Sequence, residues 1–268
     1  PHGNRGDWLS EIKEKGRIEF YKLGWPSPKF ESWRYTNLNK LAKTQFFLPQ
    51  NIELAELPYQ DILPVDAPKI ALVNGKFNRE LSDLSTISEG ILVNNFQEMS
   101  DEQRALFSLE NPTTLPKEGL PVKALNDAIL SDVLFIEIRP GWQSDVPLHI
   151  VSIGCGDHVG FSSKIFVSAG ENCHLDIVES HAGEHGSTYF SSCVSNIDIK
   201  AGARLGHYKL QNDTNTSTHL ALTQTSIEAD AVYDNFVMSV GGILSRNEVR
   251  SFIAASGLDC CVNGAHLG

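Results

Sequence analysis

Five times between Ile138 and Ser256 the chain returns to one short phrase: an apolar residue, any residue, a small residue, a turn former. It reads Ile138-Arg139-Pro140-Gly141, Val167-Ser168-Ala169-Gly170 and Ile199-Lys200-Ala201-Gly202. It returns as Ile227-Glu228-Ala229-Asp230 and, most faintly, as Ile253-Ala254-Ala255-Ser256. The lead apolar residues are 29, 32, 28 and 26 positions apart. Recurrence at such a period marks a stacked architecture.

Segments on either side of each phrase read as strand. Lys164–Val167 and Val194–Ile199 precede it, rich in β-branched and aromatic residues, with Ile197 and Ile199 flanking Asp198 at period two. Cys173–Val178 and Ala231–Met238 follow it. Gly or Asp after the small residue suits a tight corner, where a positive φ resists bulky side chains. A strand–corner–strand unit cannot bury its apolar face alone, whereas stacked copies share one core. The expectation is a mainly β chain with a β-solenoid, a parallel β-helix. An antiparallel sandwich is the alternative, but its turn signals recur about every 8–12 residues.

The first half has another character. Residues 6–23 read as a helix, with Trp8, Leu9, Ile12, Ile18, Phe20 and Tyr21 among charged positions, and Gly24-Trp25-Pro26-Ser27-Pro28 stops it. Asn74-Gly75 inside Ile70–Phe77 signals a hairpin. Ser100–Leu109 and Val122–Leu130 read as short helices, and Val133–Ile138 opens the repeat region. The division expected is an α/β cap over residues 1–130 and a β-helix core over 131–268.

A net charge of −11 opposes general affinity for nucleic acid or anionic membranes. No apolar run approaches the ~20 residues that span a bilayer, and no signal-peptide pattern opens the chain. The five cysteines, Cys155, Cys173, Cys193, Cys260 and Cys261, include no Cys-x-x-Cys pair. Reduced thiols in a cytoplasmic compartment are the simplest reading. Because the chain begins at Pro1, the natural N-terminus is expected to be missing or processed.

Glu31-Ser32-Trp33-Arg34-Tyr35-Thr36, following the proline-containing turn and leading into a short amphipathic stretch, resembles the N-terminal signature of the SufB/SufD family of SUF iron–sulfur cluster assembly. The match is to its SufD branch, since the SufB branch lacks this style of signature. Gly241-Gly242-Ile243-Leu244-Ser245-Arg246-Asn247 is similar to the Gly-Gly-x-x-x-Arg-(Asn/His) segment of the family core. The resemblance implies a right-handed parallel β-helix with a helical N-terminal domain. It implies a cytoplasmic, non-enzymatic scaffold subunit working with a SufB-like subunit and a SufC-like ATPase, with an iron–sulfur cluster present only as part of the complex. The chain has no Gly-x-x-x-x-Gly-Lys-(Ser/Thr) phosphate loop of its own. Family members continue to a Cys-Ser-His-Gly-Ala-type segment and a terminal helical region that docks SufC; the chain stops at Gly268 before both. The open coil there is expected to present strand edges and invite self-association.

No position is assigned a catalytic, cofactor-binding or metal-ligating role at this stage. Cys260 and Cys261, adjacent on a strand, point to opposite faces and read as structural. His181-Ala182-Gly183-Glu184-His185 has a helical zinc-site spacing, but its glycines make it read as a solvated loop. His174, His207 and His219 fall in strands and read as exposed or hydrogen-bonded. Arg34, between Trp33 and Tyr35, is expected to stack on its neighbours and fix the cap to the rest of the domain. Two other functions compete with the scaffold reading: a β-helix enzyme acting on polysaccharides, which needs clustered carboxylates and basic residues along one face, and a purely structural, self-associating solenoid.

Overall fold

The computed structural model describes residues 5–50, 54, 67–87, 89–108 and 119–267. One sheet runs β2 (Lys76–Asp83), β1 (Lys69–Val73), β5 (Leu148–Gly154), β7 (His174–Gly183), β9 (Arg204–Asn212), β11 (Val232–Ser239) and β13 (Asp259–His266). The facing sheet runs β3 (Ile91–Asn95), β4 (Leu130–Ile138), β6 (Val159–Ala169), β8 (Tyr189–Ile199), β10 (Thr218–Ile227) and β12 (Leu244–Ile253). Successive strands alternate between sheets, and each pairs in parallel with the strand one coil away. This is a β-solenoid of about five turns. Antiparallel pairs, β1 with β2 and β3 with β4, finish its first end. The β1–β2 turn places Asn74 at φ 47° and Gly75 at φ 75°, the two positive angles that an Asn-Gly hairpin supplies.

Strand register corrects the repeat. Ile138, Ala169, Ile199, Ile227 and Ile253 occupy one rung column, so the second copy is led by Ala169, two residues after Val167. The true spacings are 31, 30, 28 and 26. With that register the corner becomes regular. Three residues past each of the first four leads stands Gly141, Asn172, Gly202 or Asp230, each at a positive φ between 56° and 70°. Only Gly, Asn and Asp enter that region readily. The fifth corner is one residue longer and uses Gly257 at φ 79°. The corners stack through backbone bonds such as Asn172 N–H to Ala201 O and Gly202 N–H to Ala229 O.

The helical elements lie against the outside of the β3–β12 sheet. They are α1 (Arg5–Leu23), α2 (Asn39–Lys43), α3 (Asp101–Ser108) and α4 (Leu120–Ala128). Helix α1 crosses α4 at Gly16, where a Cβ would lie 2.5 Å from the Ala128 nitrogen. The Asn126 side chain donates to the carbonyls of Ser163 and Ser192, and Ser162 Oγ donates to Asn126 O. Lys164 and Asp127 form a buried ion pair in the same seam.

The cap is fixed by a cation other than the neighbouring one. Trp33 is buried at 2% exposure among Leu38, Leu41, Val122, Leu125, Phe190 and Leu220. The Arg246 guanidinium of β12 lies over its ring, 4.1 Å from the centroid, and donates to Thr36 Oγ1. Arg34 faces Tyr35, which is 91% exposed. A buried aromatic face favours a desolvated cation, and Arg246 reaches it from the solenoid side.

Candidate functional site

The solenoid interior changes character along its axis and across its width. Ile70, Leu72, Leu134, Ile136, Ile150, Ile165 and Ile177 fill the early coils. At β7 to β11 the inward positions nearest the far corner turn polar. Period-two alternation aims Glu179 and His181 of β7 inward, with His207, Lys209 and Gln211 of β9 and Ser191, Cys193 and Ser195 of β8. Parallel register sets Glu179 beside Lys209 and His181 beside Gln211. His219 of β10 stands beside Ser191.

Glu179 is the hub. Its Oε1 accepts from His207 Nε2 at 2.8 Å and from Ser195 Oγ at 3.2 Å. Its Oε2 lies 3.1 Å from both His181 Nε2 and the Lys209 ammonium. His207 Nδ1 meets Tyr233 Oη at 3.0 Å and Asn235 Nδ2 at 3.3 Å, so Nδ1 accepts while Nε2 donates to Glu179. Burial works against an ionised Glu179, but Lys209, His207 and the imidazole hydrogen bonds outweigh it and hold the carboxyl well below the usual range. Burial equally opposes a charged Lys209, and Glu179 raises its pKa above the ordinary value. Burial first, then the Glu179 charge, pushes the Cys193 thiol up.

A second carboxylate closes the far end. Asp213 accepts from Tyr189 Oη at 2.7 Å and from Gln211 Nε2 at 2.8 Å. Gly154 and Gly183 make room for the Tyr189 ring, since a Cβ at either would lie 2.4 Å from a ring or hydroxyl atom. His219 Nδ1 lies 2.9 Å from Ser191 Oγ, and burial lowers its pKa to about 3, so it is neutral. Its ring is edge-on to His181, with centroids 4.7 Å apart. The buried His219 Nε2 has no hydrogen-bond partner among the described residues.

Ligand atoms of Glu179, His181 and Cys193 lie within 4.8 Å of one another. The expected solvated loop is therefore wrong at its first residue. His181 is a buried strand residue, whereas His185 follows in the turn. His207 and His219 are hydrogen-bonded, as expected, and fully buried. Cys260 faces the core beside Tyr233 while Cys261 is exposed, the opposite-face arrangement expected of neighbours, and all five thiols are free. The signal that could have located the cluster is the run His207-x-Lys209-x-Gln211-x-Asp213, polar at period two.

Both halves of the chain match known families. Residues 3–150 match the model of the SufBD protein N-terminal region, and residues 152–268 that of the SufBD core domain of SUF-system FeS cluster assembly. The chain is 22% identical over 238 residues to an iron–sulfur cluster assembly SufBD family protein of Synechocystis sp., covering 84% of this chain and 52% of the relative. It is 24% identical over 240 residues to the iron–sulfur cluster assembly protein SufD of Escherichia coli, covering 87% and 53%. It is 21% identical over 250 residues to the chloroplastic protein ABCI7 of Arabidopsis thaliana, covering 90% and 52%. The chain thus spans about half the length of these relatives. With both family models matched end to end along one solenoid, the chain belongs to the SufB/SufD family of iron–sulfur cluster assembly proteins.

Proposed function

We propose that this chain serves as a SufD-type scaffold in SUF iron–sulfur cluster assembly, acting with a SufB-like subunit and a SufC-like ATPase rather than as an enzyme. The observation that carries the reading is the meeting of its two family-like segments. Trp33 and Thr36, from the Glu-x-Trp-Arg-Tyr-Thr segment, hold Arg246 of the Gly-Gly-x-x-x-Arg segment across 210 residues of chain. That contact fixes the helical cap on the solenoid flank as one unit and leaves β12 and β13 as the outermost strands of their sheets. Apolar side chains are exposed there, Ile243, Phe252, Ile253, Val262 and Leu267. ATP hydrolysis belongs in this reading to the SufC-like partner, and five free thiols suit a reducing compartment such as the cytoplasm.

Co-purification with SufB-like and SufC-like proteins tests it. A version extended to the full length of its relatives should capture both. In this reading the present chain alone should not capture the SufC-like subunit. Failure of the longer version to capture either partner refutes the reading, and capture of the SufC-like subunit by this chain alone moves the docking region into it. The polysaccharide reading would gain only from release of oligosaccharides from a pectin-like polymer by the purified chain.

A further inference from the structure

We propose that Glu179, His181 and Cys193 form a binding site for one divalent transition ion of the zinc or ferrous class inside the solenoid. Three chemically different ligands, a carboxylate oxygen, an imidazole nitrogen and a thiol sulfur, lie within 4.8 Å of one another and are all buried. Tetrahedral coordination with bonds of about 2.0–2.3 Å sets ligand atoms about 3.3–3.6 Å apart, so modest side-chain rotation closes the set. Glu179 Oε2 and His181 Nε2 already stand 3.1 Å apart. His219 is not one of the three, but its ring is edge-on to His181 and its buried Nε2 has no hydrogen-bond partner among the described residues, so it is a candidate fourth ligand. Buried nitrogen without a partner is costly, and a metal–nitrogen bond removes the cost. Mixed sulfur, nitrogen and oxygen ligation suits borderline ions such as Zn2+ and Fe2+ rather than Ca2+ or Mg2+.

Charge balance supports the same ion class. The two buried carboxylates, Glu179 and Asp213, outnumber the one buried ammonium, Lys209, by a single negative charge. A divalent cation entering as Cys193 loses its thiol proton to solvent brings the sum to zero. Ser195 and His207 hold Glu179 Oε1, so Oε2 is left to bind, and Tyr233 and Asn235 in turn hold His207. Outer hydrogen bonds of this kind orient metal ligands. Lys209 is the competitor, because its ammonium touches the same Oε2. The site rests on this geometry alone, so its failure leaves the scaffold reading standing, and the reverse also holds.

The test uses the full chain in a Cys260→Ser/Cys261→Ser background, refolded anaerobically under reducing conditions with Co2+ because the site is enclosed. Expected is a single equivalent bound, with a thiolate-to-cobalt charge-transfer band in the ultraviolet and visible bands of four-coordination. Cys193→Ser, near-isosteric, should lose the charge-transfer band while circular dichroism shows it folded. His207→Gln should weaken binding about 10–100-fold. Lys209→Met removes the competing cation, so Zn2+ should raise its melting temperature by more than it raises that of the unsubstituted chain. Absence of the band, or its survival in Cys193→Ser, overturns the proposal. A band that appears only in Lys209→Met overturns it equally, because Lys209 would then be the native cation of the site.

Discussion

Replacing Lys209 by Met in the metal-free chain isolates one buried ion pair of the interior. Lys209 and Glu179 are each 2% exposed and 3.1 Å apart, so neither finds water if the other is lost. Removing one member of such a pair costs about 3–5 kcal/mol, because the remaining charge stays buried without its counter-ion. A chain of this size loses about 2–4 °C per kcal/mol, which places the melting temperature ~6–20 °C lower. Glu179→Gln with Lys209→Met should recover to within about 1 kcal/mol of the parent, since an uncharged pair of similar volume is often neutral. Gln can still accept from His207 and Ser195, and the His181 imidazole can present its other tautomer to the amide. Urea unfolding of the parent, both single variants and the double variant in chelator closes a double-mutant cycle. The reasoning fails if Lys209→Met costs less than about 1 kcal/mol, or if the double variant is as unstable as the two single losses added together.

Trp33→Ala should destabilise by about 3–5 kcal/mol, as expected for a buried indole, and Arg246→Ala by less, since it loses the cation–π contact and the bond to Thr36 while the ring stays packed; thermal melts check both, and an unchanged Trp33→Ala melt would remove the clamp. Glu179 and Asp213 titrate below the ordinary carboxylate range in the folded chain, so the stability they contribute is full above about pH 4 and lost as pH falls through their folded values. Melting temperature followed from neutral to acid pH should therefore drop below that point, with a shallower drop in Glu179→Gln. At the second corner Asn172 holds φ 56°, so Asn172→Gly should be nearly neutral and Asn172→Val should cost about 1–2 kcal/mol by denaturant unfolding; equal costs would mean that the corner is not held by its backbone angle.

Local chemistry is legible where one residue type has one physical use. Asn74-Gly75 announced its hairpin, Pro26 and Pro28 ended the first helix, and Gly141, Gly202 and Asp230 marked corners. The period told of stacked coils because a strand–corner–strand unit has no other way to bury its apolar face. The sequence misplaced the second copy by two residues, since Val167 and Ala169 both point inward and only strand pairing tells which leads the corner. It also chose Arg34 for Trp33 by adjacency, where the fold brings Arg246.

The polar column was hidden for a deeper reason. Alternation of polar and apolar residues says that a strand has two faces, but not which of them is covered when both carry polar groups. In β9, Tyr208 and Leu210 look outward while His207, Lys209 and Gln211 look inward, the reverse of what hydropathy suggests. Solitary buried charges are forbidden, but Glu179 with Lys209, His207, His181 and Ser195 is not solitary, and its partners come from three different strands. The amino-acid sequence by itself therefore determined three of the five corners, the approximate period and the family. Only the tertiary structure, by stacking rungs in register, decided which side chains share the interior and gave Glu179, His181 and Cys193 a common centre.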